Sequence, residues 1–155
     1  MSELRVRTLP PGEAASGTDY VLERQVGHLL RRAHQRHAVI FQQNIGDEQL
    51  TPLQFAALAR LRDLDEVSQN QLGRMTAMDA ATMQGVIKRL AARRLIRRRP
   101  DPDDRRRLIL SLSREGRTLI DRLVANGALI SRLTLEPLSA AEQRILLDLL
   151  AKIAE

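Results

Sequence analysis

The stretch of residues 68–112 constrains the fold of this chain more than any other part of the sequence. Its sequence is SQNQLGRMTAMDAATMQGVIKRLAARRLIRRRPDPDDRRRLILSL. Asp79 is a residue type that favours a helix N-cap, and apolar residues follow it at helical spacing. Two short apolar and basic runs come later, separated by the turn residues 100–104. The stretch therefore predicts two helices, a tight turn and a β-hairpin whose tip is rich in arginine.

The second of these helices, predicted over residues 79–94, has two different faces. The apolar face consists of Met83, Val86, Ile87 and Leu90. The opposite face is polar and carries small or slender side chains, namely Thr82, Gln84, Gly85 and Lys88. Such a face fits the major groove of DNA, and a basic hairpin after it is typical of a wing. The predicted fold class is therefore mainly α with a small β-hairpin wing, a winged helix-turn-helix with N- and C-terminal dimerisation helices.

The distribution of charge points to the same segment. Residues 51–112 hold 13 Lys/Arg against 7 Asp/Glu, a net charge of +6, whereas the rest of the chain holds 12 of each and is neutral. The entire excess of positive charge thus lies on the predicted helix-turn-helix and wing. A basic surface that coincides with such a motif indicates binding to a polyanion, although a solvated basic surface is the alternative.

Composition excludes several other classes of protein. The chain has 155 residues, enough to bury a core, and no cysteine, which removes disulfides and thiolate metal sites. No apolar run approaches the ~20 residues that cross a bilayer, and no signal-peptide segment is present, so we expect a cytoplasmic protein without membrane contact. Nucleophile elbows, phosphate-binding glycine loops and paired catalytic carboxylates are also missing, so neither an enzyme nor a cofactor is expected.

The remaining segments are expected to position this DNA-binding lobe. Residues 1–18 are predicted to be a flexible arm, residues 19–48 and 113–155 a helical dimerisation region, and residues 49–112 the lobe itself. The first helix is expected from Asp19 to about Asn44, and the second helix is expected to start after Thr51 and to bury Leu53. Caps are also predicted at Ser68 and Ser113, and a capping box at Ser139 with Glu142. The leucine-rich terminal helices suggest a two-fold homodimer that places two recognition helices on one palindrome.

Several strings in the sequence resemble the MarR family of bacterial homodimeric transcriptional regulators. They are residues 50–55 (LTPLQF), 71–73 (QLG), 82–90 (TMQGVIKRL), 101–106 (DPDDRR) and 110–116 (LSLSREG). The resemblance extends from about residue 20 to the C-terminus, and the wing pattern is its most specific part. Gly85 departs from the family pattern, which more often has a side chain able to reach a base there. A glycine costs roughly 1 kcal/mol of helix stability relative to alanine and leaves the base preference at this point open.

The resemblance implies that the recognition helix enters the major groove and that a wing arginine enters the minor groove. Arg106 matches that wing-tip arginine, with Asp104 orienting it and Arg105 and Arg107 near phosphates. On chemical grounds Gln84 suits adenine, Lys88 suits guanine, and the Thr82 methyl group suits a thymine methyl. The other expected DNA-binding residues are Ser68, Gln69 and Asn70 at the start of the preceding helix, together with Gly85 and Arg89.

Regulators of this family commonly respond to small aromatic acids, and the first helix carries candidate residues for one. The resemblance assigns Arg31 to a carboxylate, which a guanidinium can hold with two parallel hydrogen bonds, and His37 to a ring substituent. The chain also resembles the branch that represses degradation of aromatic or N-heteroaromatic acids such as hydroxynicotinate. The expected effector-binding residues are His28, Arg31, His34, His37, Phe41, Phe55 and Leu58.

Alternatives to this assignment stay open at the level of sequence. His37 lies on an apolar stripe, where histidine is more often a packed core or interface residue, and Arg31 with Arg32 could pair with acids across a dimer. His34 and His37 stand three residues apart, a spacing that permits a metal site, but no third ligand accompanies them and none is expected. A ligand-insensitive architectural DNA-binding protein is the alternative function. The sequence leaves the operator, the target genes, the effector and the choice between repression and activation undetermined.

Overall fold

The computed structural model describes residues 20–154, so the predicted flexible arm of residues 1–18 lies outside the described residues. Within that range the chain forms six α-helices and one three-stranded antiparallel sheet, which confirms the predicted mainly helical fold with a small β wing. The elements are a 3₁₀ turn (Leu22–Arg24), α1 (Val26–Asn44), α2 (Pro52–Leu64), β1 (Glu66–Ser68), α3 (Gln69–Met75), α4 (Ala80–Ala92), β2 (Ile96–Pro100), β3 (Leu108–Leu112), α5 (Arg114–Leu135) and α6 (Ala140–Ile153). None of the described helices is long and apolar enough to cross a membrane.

The described residues divide into two compact units. A central unit comprises residues 37–133, and a terminal unit comprises residues 20–36 together with 134–154. The boundaries predicted between a dimerisation region and a DNA-binding lobe, after residues 48 and 112, are functional assignments and stay predictions.

The core of the central unit is almost entirely aliphatic, as the shortage of aromatic residues requires. The recognition helix α4 buries the whole apolar face that its sequence predicted, Met83, Val86, Ile87 and Leu90. Helix α2 contributes Leu58 and Leu61, both fully buried, and strand β3 contributes Leu110. Burial of one such side chain stabilises the fold by about 1.5–3 kcal/mol, so this face fixes how α4 is held and which side it turns to solvent.

Side-chain caps begin the helices where the sequence predicted them. The Thr51 Oγ1 accepts from the Gln54 N–H at 3.3 Å and the Gln54 side chain accepts from the Thr51 N–H, which completes a capping box. Ser139 and Glu142 form the second capping box, and Ser68 caps α3. The Ser113 Oγ accepts from the Gly116 N–H at 2.9 Å. Each cap satisfies a backbone N–H that the first turn of a helix leaves without a partner.

The sheet is larger than the predicted hairpin. Strands β2 and β3 form the wing, with Ile96 opposite Leu112 and Pro100 opposite Leu108. Strand β1, which the sequence analysis did not predict, pairs with the other edge of β3 and ends directly at the cap of α3. Because β1 and α3 are contiguous, the start of α3 is tied to the base of the wing.

Two expectations about the helices were wrong. The first helix was expected from Asp19, but a 3₁₀ turn precedes it and α1 begins at Val26, because Gln25 between them has extended backbone angles, φ −78° and ψ 132°, that interrupt the helix. Leu53 is not buried by α2 and is 44% exposed. In the terminal unit, large apolar side chains are also exposed on both of its helical segments. They include Val26, Leu29 and Leu30 of α1 and Ile145, Leu149 and Ile153 of α6.

Candidate nucleic-acid interface

The N-terminal turn of α4 is fixed by its cap. The Thr82 N–H donates to Oδ1 of Asp79 at 2.7 Å, and the Thr82 hydroxyl donates to Oδ2 at 3.0 Å. These two hydrogen bonds, the backbone one first, lower the pKa of Asp79 from its ordinary value of 3.8. The hydroxyl of Thr82 is thus occupied by the cap. Its methyl group is the part left for an apolar contact, in keeping with the predicted contact to a thymine.

The structure brings together predicted DNA-binding residues from three separate segments. They line one concave surface of about 220 Å³ in the central unit, formed by the start of α3, the exposed face of α4 and the wing. Among its lining residues are Ser68, Gln69, Asn70, Gln84, Arg106 and Arg107. The hydroxyl of Ser68 is used as the cap of α3, where it accepts from the Gln71 N–H at 3.3 Å. The amide side chains and the arginines remain as the groups that can meet a polyanion.

Asp104 organises the wing tip and contacts Arg106, through the backbone of that residue and not through its guanidinium. Its Oδ1 accepts from the backbone N–H of Arg106 at 3.0 Å, so Asp104 orients the Arg106 backbone. The guanidinium that lies near Asp104 is that of Arg107, at 3.4 Å, and Asp101 lies 3.6 Å from the same Nε. Arg105 and Arg106 are exposed, and among residues 20–154 no carboxylate pairs with either of them. The tip therefore presents two uncompensated charges, while two acids share Arg107.

The space above Gly85 is occupied by a neighbouring side chain. A Cβ built on Gly85 would lie 3.4 Å from Nη2 of Arg89 and 3.9 Å from its Cζ. The Arg89 guanidinium thus folds back one helical turn across the middle of the exposed face of α4. Lys88 and Gln84 are exposed beside it. Arg89, one of the predicted DNA-binding residues, thus lies on the same exposed face of α4 as Gln84 and Lys88.

Two arginines of β2 have positions that the sequence analysis did not identify. Nη2 of Arg99 lies 2.6 Å from Oε2 of Glu66, an ion pair that joins the wing to β1 and raises the pKa of Arg99 above its usual value. Arg98 lines a second concave surface, of about 490 Å³, with Gln84, Gly85 and Lys88 of α4. Alternation along the strand predicts that Arg98 and Arg99 project from opposite faces of the sheet. Only the register of the sheet shows which residues lie beside each of them.

The predicted effector-binding residues of the central unit form an aromatic cluster. The rings of His37 and Phe41 lie 6.4 Å apart, and the rings of Phe41 and Phe55 lie 6.0 Å apart in an edge-to-face arrangement. Phe41 and Leu58 are buried, whereas His37 and Phe55 are half-buried. His37 and Phe55 therefore have side-chain surface left for a ligand, and the two buried residues serve mainly to support them.

The predicted effector-binding residues of the terminal unit lie on the first half of α1. Nη2 of Arg31 lies 3.3 Å from Nδ1 of His28, and His34 is exposed one turn further along. A guanidinium can only donate, so Nδ1 of His28 is the acceptor in this contact. Within residues 20–154, no three His, Asp or Glu side chains are grouped as a metal site would need.

Comparison with known proteins gives consistent matches over most of the chain. A model of the MarR family matches residues 48–107. The HTH-type transcriptional repressor NicR of Pseudomonas putida is 43% identical over 149 residues, which cover 96% of this chain and 94% of NicR. The structure of Bordetella bronchiseptica BpsR, whose DNA binding is regulated by 6-hydroxynicotinic acid, is 43% identical with a TM-score of 0.84, covering 89% of this chain and 99% of BpsR. The repressor CouR, solved on a 23-mer DNA duplex, is 29% identical with a TM-score of 0.78, covering 86% of this chain and 95% of CouR.

Proposed function

The chain belongs to the MarR family of DNA-binding transcriptional regulators, and we propose that it is a homodimeric repressor that a small aromatic carboxylic acid releases from its operator. The observation that carries the proposal is the concave surface at which the start of α3, the exposed face of α4 and the wing tip converge. An α-helix of this kind enters the major groove, and the arginine at the wing tip reaches the adjacent minor groove. Gln84 and Arg106 are the proposed leading contacts.

The exposed apolar side chains of the terminal unit support the dimer. Val26 is 66% exposed and Ile153 is 62% exposed, and several leucines between them in sequence are about half exposed. Soluble monomers rarely expose so many large apolar side chains on neighbouring helical segments, because burying each one is favourable. A closed two-fold pair would cover them and would present two copies of α4 to successive major grooves of a palindrome.

For the effector we propose an aromatic or N-heteroaromatic carboxylic acid of the hydroxynicotinate type. BpsR, with 43% identity to this chain, is regulated by 6-hydroxynicotinic acid. In this chain Arg31 is the proposed carboxylate-binding residue, because its guanidinium has no carboxylate partner among residues 20–154 and can hold a carboxylate with two parallel bonds. His37 is proposed to bond a ring hydroxyl or ring nitrogen, with Phe55 beside the aromatic body.

Release would follow from a shift between two arrangements of the dimer. The acid-free dimer holds its recognition helices at the spacing of the operator and blocks transcription. An acid that binds more tightly to the arrangement with a different helix spacing lowers the affinity of the dimer for the operator. The decrease cannot exceed the ratio of the acid's affinities for the two arrangements. We propose no catalytic activity, and turnover of an aromatic acid by the purified protein would contradict this. Binding to chromosomal DNA places the proposed site of action in the cytoplasm.

Operator binding and release can be measured together by fluorescence anisotropy. The labelled duplex is the intergenic DNA upstream of the protein's own gene, and 6-hydroxynicotinate is the titrant. We expect the acid to release wild-type protein, to raise its melting temperature, and to act much more weakly on Arg31→Ala than on the matched variant Arg32→Ala. Equal sensitivity of both variants would remove Arg31 from the effector site. Equal binding to scrambled DNA, without release, would favour the architectural alternative.

A further inference from the structure

We propose that Arg98 contacts a phosphate of the DNA strand that separates the major groove under α4 from the minor groove under the wing. The inference deepens the proposed function and rests on it. Arg98 was not among the residues that the sequence marked for DNA binding. The register of the wing gives the position of Arg98, and the acidic residues near Arg97 and Arg99 distinguish it from these two neighbours.

The register of the sheet places the three consecutive arginines of β2 on alternate faces. Directly opposed residues in an antiparallel pair project to the same side. Arg98 lies opposite the buried Leu110, on the side of the sheet that packs against α4, whereas Arg97 lies opposite Ser111 and Arg99 opposite Ile109. Arg98 is nevertheless exposed. The core covers β2 only as far as Ile96, and Arg98 lies beyond that residue, closer to the tip of the wing.

The two arginines on the other face have acidic neighbours. Arg99 forms the 2.6 Å ion pair with Glu66. Glu115 has its pKa lowered first by its own backbone N–H, then by the side chain of Ser113, and also by the positive charges of Arg97 and Arg114. Arg98 is exposed, and among residues 20–154 no carboxylate forms an ion pair with it. Of the three β2 arginines, Arg98 thus combines a position on the side of α4 with a charge that no described carboxylate pairs.

The surroundings of Arg98 indicate which part of DNA it would meet. It lines the 490 Å³ concave surface between α4 and the wing, with Gln84 and Lys88 on one side and Leu108 on the other. If α4 occupies the major groove and Arg106 the neighbouring minor groove, the structure between them is one sugar–phosphate backbone. A side chain in this position cannot reach a base edge without crossing that backbone. A phosphate contact follows, which adds affinity and fixes register without reading sequence.

The salt dependence of binding tests this contact, with Arg97→Gln as the matched control. Both substitutions remove one charge from adjacent, exposed positions of β2, but only Arg98 faces α4. For Arg98→Gln we expect the slope of log K against log salt to fall in magnitude by about 0.9 for each chain of the homodimer, and so by about 1.8 for the loss of two phosphate contacts. Its affinity deficit relative to wild type should then shrink by about 12-fold between 50 and 200 mM salt. Arg97→Gln should keep the wild-type slope, and Arg98→Lys should restore most of it.

The loss should be equal on the operator and on scrambled duplex, because a phosphate carries no sequence information. An unchanged slope for Arg98→Gln, equal slope changes in both Gln variants, or a loss confined to the operator would each overturn the inference. Far-UV circular dichroism and melting curves of each variant establish that it is folded. If wild type itself fails to prefer the operator, the proposed function fails. The slopes on scrambled duplex would still decide whether Arg98 meets a phosphate.

Discussion

Substitution of Gly85 by alanine should stabilise the protein and preserve its binding to DNA. Gly85 lies in the interior of α4, where glycine costs about 0.8–1.0 kcal/mol relative to alanine because it loses more backbone entropy on folding. The new Cβ would lie 3.4 Å from Nη2 of Arg89, which is ordinary van der Waals contact, so no steric penalty offsets the gain. The free energy of unfolding should rise by about 1 kcal/mol, which corresponds to about 2–4 °C in melting temperature for a chain of this size.

Larger side chains at Gly85 give the opposite result for DNA binding. A leucine needs the volume that the Arg89 guanidinium fills, and should force that group off the exposed face of α4. We expect the Gly85→Leu homodimer to lose about tenfold in operator affinity for each of its two chains, and so about a hundredfold in all, because one good base contact is worth about 1.4 kcal/mol. In an Arg89→Gln background the Gly85→Leu substitution should have little further effect, since the group that it displaces is already absent.

Gly116→Ala is the matched control for the stability measurement. Its Cβ would lie 1.9 Å from the carbonyl oxygen of Leu95, and that carbonyl is held by the Ser113 N–H at 3.0 Å. Backbone cannot move aside as a flexible side chain can, so Gly116→Ala should destabilise by about 3 kcal/mol or more. Urea unfolding at one fixed protein concentration measures all the variants. A Gly85→Ala variant that is more stable and yet loses as much operator affinity as Gly85→Leu would refute this reasoning. That result would show that the DNA itself approaches Gly85.

Three further predictions concern single residues. Arg94→Gly should raise stability by about 1 kcal/mol in urea unfolding, because Arg94 has a left-handed φ of 57° that costs a side-chain-bearing residue energy; an unchanged midpoint would contradict this. Asn126→Ala should cost about 1–3 kcal/mol, because its Nδ2 donates to the carbonyl of the buried Ile45 at 3.0 Å, whereas the exposed Gln42→Ala should change stability little. The charged Asp79 carboxylate stabilises wild type above pH 3.8, and this stabilisation disappears as the pH falls through the lowered pKa of Asp79. Asp79→Ala lacks this stabilisation at every pH. The stability difference between variant and wild type should thus narrow at low pH, and a constant difference would exclude the carboxylate as the cause.

Features with a local physical cause were predictable from the sequence. The caps at Thr51, Asp79 and Ser139 follow from one side chain and the backbone N–H groups of the next turn, and all three form as expected. The buried face of α4 follows from helical periodicity in the same way. The convergence of Gln84 and Arg106 was also foreseen, because a winged helix-turn-helix places them on one side.

Features that depend on distant partners were missed. Strand β1 has three residues, too few to show an alternating pattern, and it forms because β3 offers it an unpaired edge. The pairing of Arg99 with Glu66 joins residues 33 positions apart and depends on that strand. The position of Arg98 likewise depends on the register between β2 and β3. The folding of Arg89 over Gly85 is local, but helical periodicity does not select among the rotamers of an exposed arginine.

Two copies of the surface formed by α3, α4 and the wing should bind one palindromic operator together. Sedimentation equilibrium of wild-type protein with the upstream intergenic duplex, and with a scrambled duplex of the same length, tests it most directly. We expect a complex of two chains on the intergenic duplex at concentrations where the scrambled duplex stays free, and loss of that complex in Arg106→Ala. A single chain on the DNA, or equal occupancy of both duplexes, would contradict it.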